Sequence, residues 1–400
     1  MTKYIVFFLY YFNGDNMKKI IVICLVFFIF CYFINGFYKD EVDVEERGIF
    51  ISYIELNKYV KDKNISDSKK NIDKMISNVK SLGFNLIILQ IRSFSDAIYP
   101  SKIFPWSSTV SVEEGVDPGF DVLDYFINKC HDNSILIYGW INPYRVRNYS
   151  DDSVSMDNPA YKWINTRNII IDNGIYYNPS SDEVVKLIVS GVEEVVSKYK
   201  VDGILFDDYF YPNTECDRVE YLEYLKNNKE ISFSEYHLMR VNVLIEKVYA
   251  VCRKYNVLFG ISPDANIENN YNKLFADIRT WLSSDKYVDF IMPQVYYGFF
   301  NETKPFKDVI DEWESLIKNK DISLMIALAF YKNGVDDKWA KSGSMEWVNN
   351  SNIIMREIVL SRNLNNYQGF SLFRYDYLFD QSKYTENTMM EIENIKKILK

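Results

Sequence analysis

Short apolar segments alternate with helix-like segments along most of this 400-residue chain, and this alternation constrains the fold more than any other feature. Near-continuous apolar segments of this kind are typical of parallel strands that are covered on both faces. Eight such strands are predicted, at residues 49–53, 86–91, 135–141, 203–207, 258–262, 290–296, 323–329 and 369–373. Eight parallel strands that close on themselves form a (β/α)8 TIM barrel, an α/β fold of about 250 residues before insertions. We therefore predict one barrel domain, over residues 47–400, with long loops after the strands.

Helical periodicity occupies the intervals between the predicted strands. Apolar residues repeat at helical spacing over 72–79, and Ser180-Ser-Asp-Glu183 matches a capping box at the start of another helix. Further helices are predicted near 120–131, 234–255, 275–282, 306–317 and 347–361, with a last one ending at Leu399. The polar and aromatic segment 142–179 is predicted to be irregular. A doubly wound open sheet is the alternative fold, but no Gly-x-Gly-x-x-Gly follows any predicted strand.

The amino-terminal region predicts export. Met17-Lys-Lys precedes a wholly apolar run over 20–34, a pattern typical of a secretory signal or of an amino-terminal membrane anchor. We assign residues 17–38 to this segment and 39–46 to an acidic linker. Initiation at Met17 would give a more ordinary signal, so residues 1–16 are interpreted as a possible upstream extension foreign to the natural product. The body of the protein is then expected to be extracytoplasmic, secreted or held at the membrane.

Composition excludes several classes of function. The charge balance, 46 Lys and Arg against 55 Asp and Glu, gives a net charge of −9 without a basic tail, so a nucleic-acid partner is not expected. The only histidines, His131 and His237, lie in predicted helices and are interpreted as partly exposed structural residues. Triad catalysis and a zinc site are therefore not expected, and neither a metal nor another cofactor is predicted. The chemistry should depend on carboxylates.

Asp207 ends the fourth predicted strand, and Asp208 follows it directly, before Tyr209-Phe-Tyr-Pro212. Paired carboxylates beside aromatic rings are what hydrolysis of a sugar bond requires. Strand alternation places Leu205 and Asp207 on one face, so Asp207 points into the barrel mouth if Leu205 fills the barrel; a bulge would reverse this. A solvated Asp-Asp turn is the structural alternative.

Two residues are candidates for the second catalytic acid. Asp264, after the neighbouring fifth strand, is the nearer in topology, and its alternative role is to form a turn or cap a helix. Glu55, after the first strand, is the competitor from across the mouth, and its alternative role is that of a first-turn helix acid. A separation of about 5–5.5 Å between the two carboxyl groups would indicate retention of configuration, and a separation of about 6.5–9.5 Å would indicate inversion.

Polar or aromatic residues follow all eight predicted strands, whereas the strand bodies are apolar. Because the carboxyl ends of barrel strands meet at one mouth, this segregation favours an enzyme over a structural protein. The predicted substrate-binding residues are Gln90, Arg92, Asp96, Trp140, Asn142, Tyr144, Arg145, Tyr209, Gln294, Tyr296, Tyr297 and Tyr331. Three arginines, Arg92, Arg145 and Arg147, either bind substrate carboxylates or form ion pairs with Asp96 or Asp117.

With these motifs identified, the chain resembles the glycosyl-hydrolase-like 10 family. The resemblance lies in seven segments that run in order along the barrel: 47–52, 90–101, 104–107, 140–146, 201–212, 259–263 and 292–297. It implies a barrel hydrolase that acts on cell-envelope or other polysaccharide. Many relatives have an aromatic-glycine pair after the Ile-Ser-Pro of 261–263, whereas Asp264-Ala-Asn266 stands here. A catalytic role for Asp264 would therefore be specific to a subfamily.

The expected function is an extracytoplasmic glycoside hydrolase that cleaves peptidoglycan-like amino-sugar strands with two carboxylates. Two alternatives stay open. One is a glycan-binding surface protein on the same barrel without catalysis, and the other is a hydrolase of a different extracellular polysaccharide. The expected partners are a polysaccharide and, if the segment 17–38 is retained, a membrane.

Overall fold

The computed structural model describes residues 44–228 and 230–399. The predicted extension 1–16, the predicted signal or anchor 17–38 and most of the linker 39–46 lie outside these residues. None of the helices in the described part combines the length and the apolar character that a membrane crossing needs.

Eight strands close into a parallel barrel, which confirms the predicted (β/α)8 fold. In chain order they are Glu46–Ile51, Leu86–Arg92, Leu136–Ile141, Gly203–Phe206, Leu258–Ile261, a sixth in two pieces (Phe290–Ile291 and Gln294–Val295), Ser323–Leu328 and Tyr367–Leu372. Each pairs in parallel with its neighbour, and the eighth pairs with the first, with Ile49 opposite Leu372, so the sheet has no free edge.

Helices cover the outside of the barrel. Those of seven or more residues are Tyr53–Tyr59, Ile65–Ser81, Val122–Asp132, Asp182–Lys198, Arg218–Asn227, Phe233–Lys254, Phe306–Leu316, Ile353–Ser361 and Glu386–Ile398. Shorter helical turns lie at Ile267–Asn269, Ile278–Trp281, Glu346–Asn349 and Tyr375–Phe379.

The predicted capping box at 180–183 is shifted by one residue. Ser181 accepts from the Val184 backbone N–H at 3.2 Å, while Ser180 bonds to Asp217.

Three local predictions were wrong. The helix predicted near 347–361 is divided into two helices, Glu346–Asn349 and Ile353–Ser361. The sixth strand is not continuous, because Pro293 has no N–H to give to the ladder and separates the two short pieces. The segment 142–179 is not wholly irregular either: Arg145–Arg147, Ile169–Ile171 and Ile175–Tyr177 form a small antiparallel sheet. Two of its strands are rich in β-branched and aromatic residues, which favour this conformation.

Large apolar side chains fill the barrel interior, which contains Phe50, Leu86, Ile88, Tyr138, Trp140, Leu205, Phe290, Met292, Met325 and Ala327. Gly260 makes room for the Phe290 ring, which a Cβ at that position would overlap. Leu205 points inward, as the alternation rule requires for an inward Asp207, whereas Phe206 packs outward against Phe259 with ring centroids 5.2 Å apart. The interior is therefore a packed core, above which lies a mouth built from strand ends.

Candidate active site

A cavity of about 300 Å³ opens at the carboxyl ends of the barrel strands. Eight of the predicted site residues line it: Gln90, Trp140, Arg145, Asp207, Asp208, Tyr209, Gln294 and Tyr296. Phe50 and Leu205, from the top of the packed interior, close its floor. The strand-end residues thus converge on one concave surface, where active sites of this fold occur.

Asp207 lies at the bottom of the cavity and is 4% exposed. Its Oδ2 accepts hydrogen bonds from the Trp140 indole Nε1 at 3.1 Å and from the Asn142 side-chain amide. The backbone N–H of Tyr209 lies 3.5 Å from its Oδ1. The carboxylate is therefore held through one oxygen, and the other is only weakly engaged.

Asp208 lines the same cavity but is less buried than Asp207. The Gln294 Nε2 donates to its Oδ1 at 3.1 Å, and the same nitrogen donates to the Ser262 carbonyl at 2.9 Å. No other described residue donates to this carboxyl group, so its Oδ2 is open to a ligand.

The two carboxyl groups have perturbed acidities. Burial raises the pKa of the Asp207 carboxyl to about 6, although the Arg145 charge and the Trp140 hydrogen bond act to lower it. Burial, and after it the negative charge of Asp207, raises the pKa of the Asp208 carboxyl to about 7. Because the charge of Asp207 acts on Asp208, the two groups lose their protons in successive steps, and over a range of pH the pair holds one proton. A carboxylate and a carboxylic acid side by side can act together as base or nucleophile and as acid.

Gln90 and Asn142 form an amide chain that leads to Asp207. The Tyr53 backbone N–H donates to the Gln90 Oε1 at 2.9 Å, and the Gln90 Nε2 donates to the Asn142 Oδ1. The Arg145 Nη2 donates to the same Asn142 oxygen at 3.0 Å. Gln90, which also lines the cavity, is fully buried and Asn142 is 2% exposed, so the two amides hold the carboxylate from within the protein.

An aromatic and cationic wall rises above one side of the cavity. The Arg145 guanidinium lies 4.8 Å from the Phe94 ring centroid and 5.4 Å from that of Tyr209, and Tyr53 packs edge-on against Phe94 at 5.0 Å. Tyr209 is 52% exposed, so it presents a ring face at the rim. Rings and planar guanidinium groups of this kind stack well on the apolar faces of sugars and hold them by dispersion.

Glu55 lies outside the cavity and is fully buried. Its Oε2 accepts from the Ser52 backbone N–H at 2.9 Å in a capping box, and its Oε1 pairs with the Arg374 guanidinium. Both oxygens are occupied, so the geometry supports the structural alternative, in which Glu55 ties the first strand end to the eighth.

Asp264 is held within its own loop. Its Oδ1 accepts from the Asn266 backbone N–H at 2.8 Å and its Oδ2 from the Asn269 side chain at 2.9 Å. It does not line the cavity, but its charge still contributes to the raised pKa of Asp208. The placement supports the turn-forming alternative and leaves Asp207 and Asp208 as the two acids of the cavity.

Five further predicted residues lie around the cavity rather than on its surface. The Arg92 guanidinium is buried over the Phe104 ring at 4.4 Å, and Tyr144 is buried beneath the small sheet. Asp96 accepts from the Phe94 backbone N–H at 3.0 Å and lines an adjoining polar cavity. Arg147, which lines the same adjoining cavity as Asp96, forms its ion pair with Glu114 and not with Asp96 or Asp117. Tyr331 packs edge-on behind Tyr296 at 5.9 Å, and Tyr297 is half-buried in the same loop region.

The prediction that both histidines are partly exposed was wrong for His237, which is 1% exposed and bonds through Nε2 to Asp217 Oδ1 at 2.7 Å. The Tyr211 hydroxyl donates to the other oxygen of Asp217 at 3.0 Å. This network packs behind the fourth strand end. Across the residues that the structure describes, no cluster of three or more His, Cys, Asp or Glu side chains is arranged to hold a metal ion.

Tyr53, Ser262 and Phe373 line the cavity but were not predicted as site residues. All three were counted as the last residues of predicted strands, although the observed strands end at Ile51, Ile261 and Leu372. The strand-end rule would have selected them had the strands been predicted one or two residues shorter.

Comparisons with known proteins give a consistent set of matches. Residues 45–342 match the family described as glycosyl hydrolase-like 10. The chain is 31% identical over 353 residues to the glycosyl hydrolase YngK of Bacillus subtilis (strain 168), a match that covers 80% of this chain and 66% of that protein, just under two thirds of its length. It is 30% identical over 336 residues to the glycosyl hydrolase DigH of Escherichia coli (strain K12), with 77% of this chain and 75% of that protein covered.

The fold is similar to that of the glycoside hydrolase domain of PgaB (BpsB) from Bordetella bronchiseptica. The TM-score is 0.58 at 12% identity, and the match covers 89% of this chain and 99% of that domain. At this identity the likeness concerns the fold alone.

Proposed function

Because the chain belongs to the glycosyl hydrolase-like 10 family, we propose that it cleaves O-glycosidic bonds in peptidoglycan-like amino-sugar strands of the cell wall, outside the cytoplasm. Its enzyme class, glycoside hydrolase, follows from that membership and from the named relatives. We propose, in addition, which glycan it cleaves, which residues react and where in the cell it acts.

One observation carries the assignment of the reacting groups. Asp207 and Asp208 are the two acidic residues that line the cavity, and burial raises the pKa of both. Hydrolysis of a glycosidic bond needs one carboxylic acid to protonate the leaving oxygen and one carboxylate to attack the sugar or to activate water. The pair is suited to hold both forms at once near neutral pH.

The surroundings of the pair support a sugar ligand. Trp140, Tyr296 and Phe373 line the cavity with ring surface, while Arg145 and Gln294 supply hydrogen-bond donors. A pyranose ring has apolar faces and a polar rim of hydroxyl groups, so it requires this combination of partners.

The location rests on the predicted signal or anchor at 17–38, which lies outside the described residues. Export would bring a glycoside hydrolase to the glycan of the cell wall. The substrate is therefore proposed to be the amino-sugar backbone of that glycan.

The test is the release of soluble products from purified peptidoglycan, with and without its stem peptides, by the exported form of the chain. Chitin oligosaccharides and other extracellular polysaccharides serve as alternative substrates. Asp207→Asn and Asp208→Asn are the matched inactive variants, since each removes the carboxylate and preserves the side-chain volume.

We expect product release from peptidoglycan by the wild type and a loss of at least about 10²-fold in each variant. If the enzyme cleaves another polysaccharide instead, the proposed reaction is correct and the proposed substrate is wrong. Binding without turnover of any glycan, unchanged by either substitution, would identify a glycan-binding protein and contradict the proposal.

A further inference from the structure

The hydrogen bonds at the cavity floor have directions that backbone groups and obligate donors determine. A backbone N–H, an indole N–H and a guanidinium can only donate, and a backbone carbonyl can only accept. Each amide side chain near the two carboxylates is bonded to at least one such group, so its oxygen and nitrogen ends are assigned by chemistry.

The amide chain toward Asp207 can run in only one direction. The Tyr53 N–H requires the Gln90 oxygen on its side, which places the Gln90 nitrogen toward Asn142. The Arg145 guanidinium independently requires the same Asn142 oxygen. The Asn142 nitrogen must then donate to Asp207 Oδ2.

Asp207 Oδ2 thus receives two obligatory donors, the Asn142 amide and the Trp140 indole, and the Arg145 charge lies nearby. Such a surrounding stabilises the ionised carboxylate. If Oδ2 were protonated, its hydrogen would point at one of these two groups, and neither can accept a hydrogen bond.

Asp208 has the opposite surrounding. The Ser262 carbonyl requires the Gln294 nitrogen on its side, and this nitrogen gives Asp208 its one side-chain donor, at Oδ1. The negative charge of Asp207 acts against a second negative charge here. The Oδ2 of Asp208 faces no described donor, and it is the atom on which a proton fits.

We propose that Asn142, held by Gln90, and Gln294, held by the Ser262 carbonyl, are positioning residues that divide the work between the two acids. Asp207 is kept as the ionised group, and Asp208 carries the proton on Oδ2. This inference rests on the proposed function and adds to it the role of each acid.

In the reaction, the proton on Asp208 Oδ2 passes to the glycosidic oxygen while the C1–O bond breaks and its electron pair stays with that oxygen. In one route the Asp207 carboxylate bonds to C1; the Asp208 carboxylate then takes a proton from a water that adds to C1 as the C1–Asp207 bond breaks, which restores both acids. In the other route the Asp207 carboxylate takes a proton from the water that adds directly to C1, and it later releases this proton to solvent while Asp208 takes one up. The net change in either route is the addition of one water across the glycosidic bond.

The test is the pH dependence of kcat/KM on a glycan that the wild type cleaves, measured for matched amide variants. The acid limb of the profile reports the group that must be ionised, and the alkaline limb the group that must be protonated. Asn142→Leu should move the acid limb upward by about one pH unit, since Asp207 loses a donor. Gln294→Leu should move the alkaline limb upward by about as much.

Two further variants control for structural damage. Asn158→Leu removes a buried amide that contacts neither carboxylate, so it should move neither limb. Gln90→Met removes an amide that contacts Asn142 but neither acid, and it should move the acid limb in the same direction by a smaller amount. The proposal would be overturned if activity fell equally at all pH values in Asn142→Leu and Gln294→Leu. It would also be overturned if Asn142→Leu moved the alkaline limb and Gln294→Leu moved the acid limb.

An aryl glycoside with a dinitrophenolate leaving group separates the two roles directly, because this group departs without a proton. Asp208→Ala should keep turnover of that substrate within about tenfold of wild type while losing about 10²–10⁴-fold on the natural glycan. Asp207→Ala should lose both. The reverse pattern would exchange the roles and refute the assignment, whereas a wild type that cleaves no glycan would refute the proposed function instead.

Discussion

The Trp140 indole Nε1 donates a hydrogen bond of 3.1 Å to Asp207 Oδ2 and thereby ties the third barrel strand to the end of the fourth. Trp140 is 8% exposed, and its ring contacts Phe50 edge-on at 5.6 Å within the barrel interior. The position of the carboxylate is therefore coupled to the packing of the core below it.

Trp140→Phe keeps most of the ring and removes the indole N–H. A hydrogen bond to a charged group contributes about 1.5–3 kcal/mol, so kcat/KM should fall roughly 10- to 100-fold and the acid limb of its pH profile should rise. Steady-state kinetics over pH 4–9 check this. Trp339→Phe, at a position that is 88% exposed, should match the wild type; an equal loss in both variants would speak against the role of the indole.

The pH dependence of the wild type follows from the raised pKa values of Asp207 and Asp208. Asp207 must be ionised, which requires a pH above about 6, and Asp208 must be protonated, which requires a pH below about 7. The profile of kcat/KM should therefore be a narrow bell with its maximum between these values. A flat profile from pH 4 to 9 would show that another pair of groups limits the reaction.

Asp264→Asn separates the loop acid from the catalytic pair. Asparagine can still accept from the Asn266 N–H, so we expect kcat/KM to stay within about tenfold of wild type. Because the negative charge at Asp264 raises the pKa of Asp208, its removal should also move the alkaline limb slightly downward. A loss comparable to that of Asp207→Asn would identify Asp264 as the partner acid after all.

Gly260→Ala tests the packing of the barrel interior. The new Cβ would overlap the Phe290 ring, which has no free space to enter. Overpacking of this kind costs about 1–3 kcal/mol, so thermal unfolding should occur several degrees lower. Leu258→Ala, at the 39% exposed start of the same strand, is the control and should change the midpoint much less.

A buried pair of acids makes stability depend on pH. Glu357 and Glu391 are both fully buried on facing helices, and burial raises the pKa of Glu391 to about 7 and that of Glu357 well above its ordinary value. The folded state then holds protons that the unfolded state releases above about pH 4.5. The stability from this pair is therefore complete below that pH and is lost as the pH rises through about 7.

Glu357→Gln should consequently raise the unfolding midpoint at pH 8 and flatten its dependence on pH. We expect an effect of about 1 kcal/mol or more, measured by thermal or denaturant unfolding at pH 5 and pH 8. Glu386→Gln, an exposed acid on the last helix, is the control. An unchanged pH dependence in Glu357→Gln would mean that the pair is compensated in some other way.

The barrel was predictable because burial on both faces leaves a clear mark on each strand. Segments such as 86–91 contain almost no polar residue, and the break into polar side chains at Asp207 marks the level of the mouth. The same rule located Trp140, Gln294 and Tyr296, since residues just past parallel strands meet at one edge.

The hydrogen-bond partners were not predictable in the same way. Glu55 and Arg374 are 319 positions apart in sequence, and only closure of the barrel brings them together. The orientation of Asn142 depends on Gln90 in the neighbouring strand and therefore on the register between strands. Sequence spacing contains neither quantity, so the hydrogen bond between Gln90 and Asn142 could not be predicted, although both were predicted as site residues.

The position of Asn142 also bears on how the protein ages. Spontaneous deamidation of asparagine starts when the next backbone nitrogen attacks the side-chain amide, and this route needs a hydrogen on that nitrogen. The next residue is Pro143, whose nitrogen carries none. Burial further keeps water from the amide. The amide donor beside Asp207 is thus protected from this reaction, and with it the pH at which the pair of acids is most active.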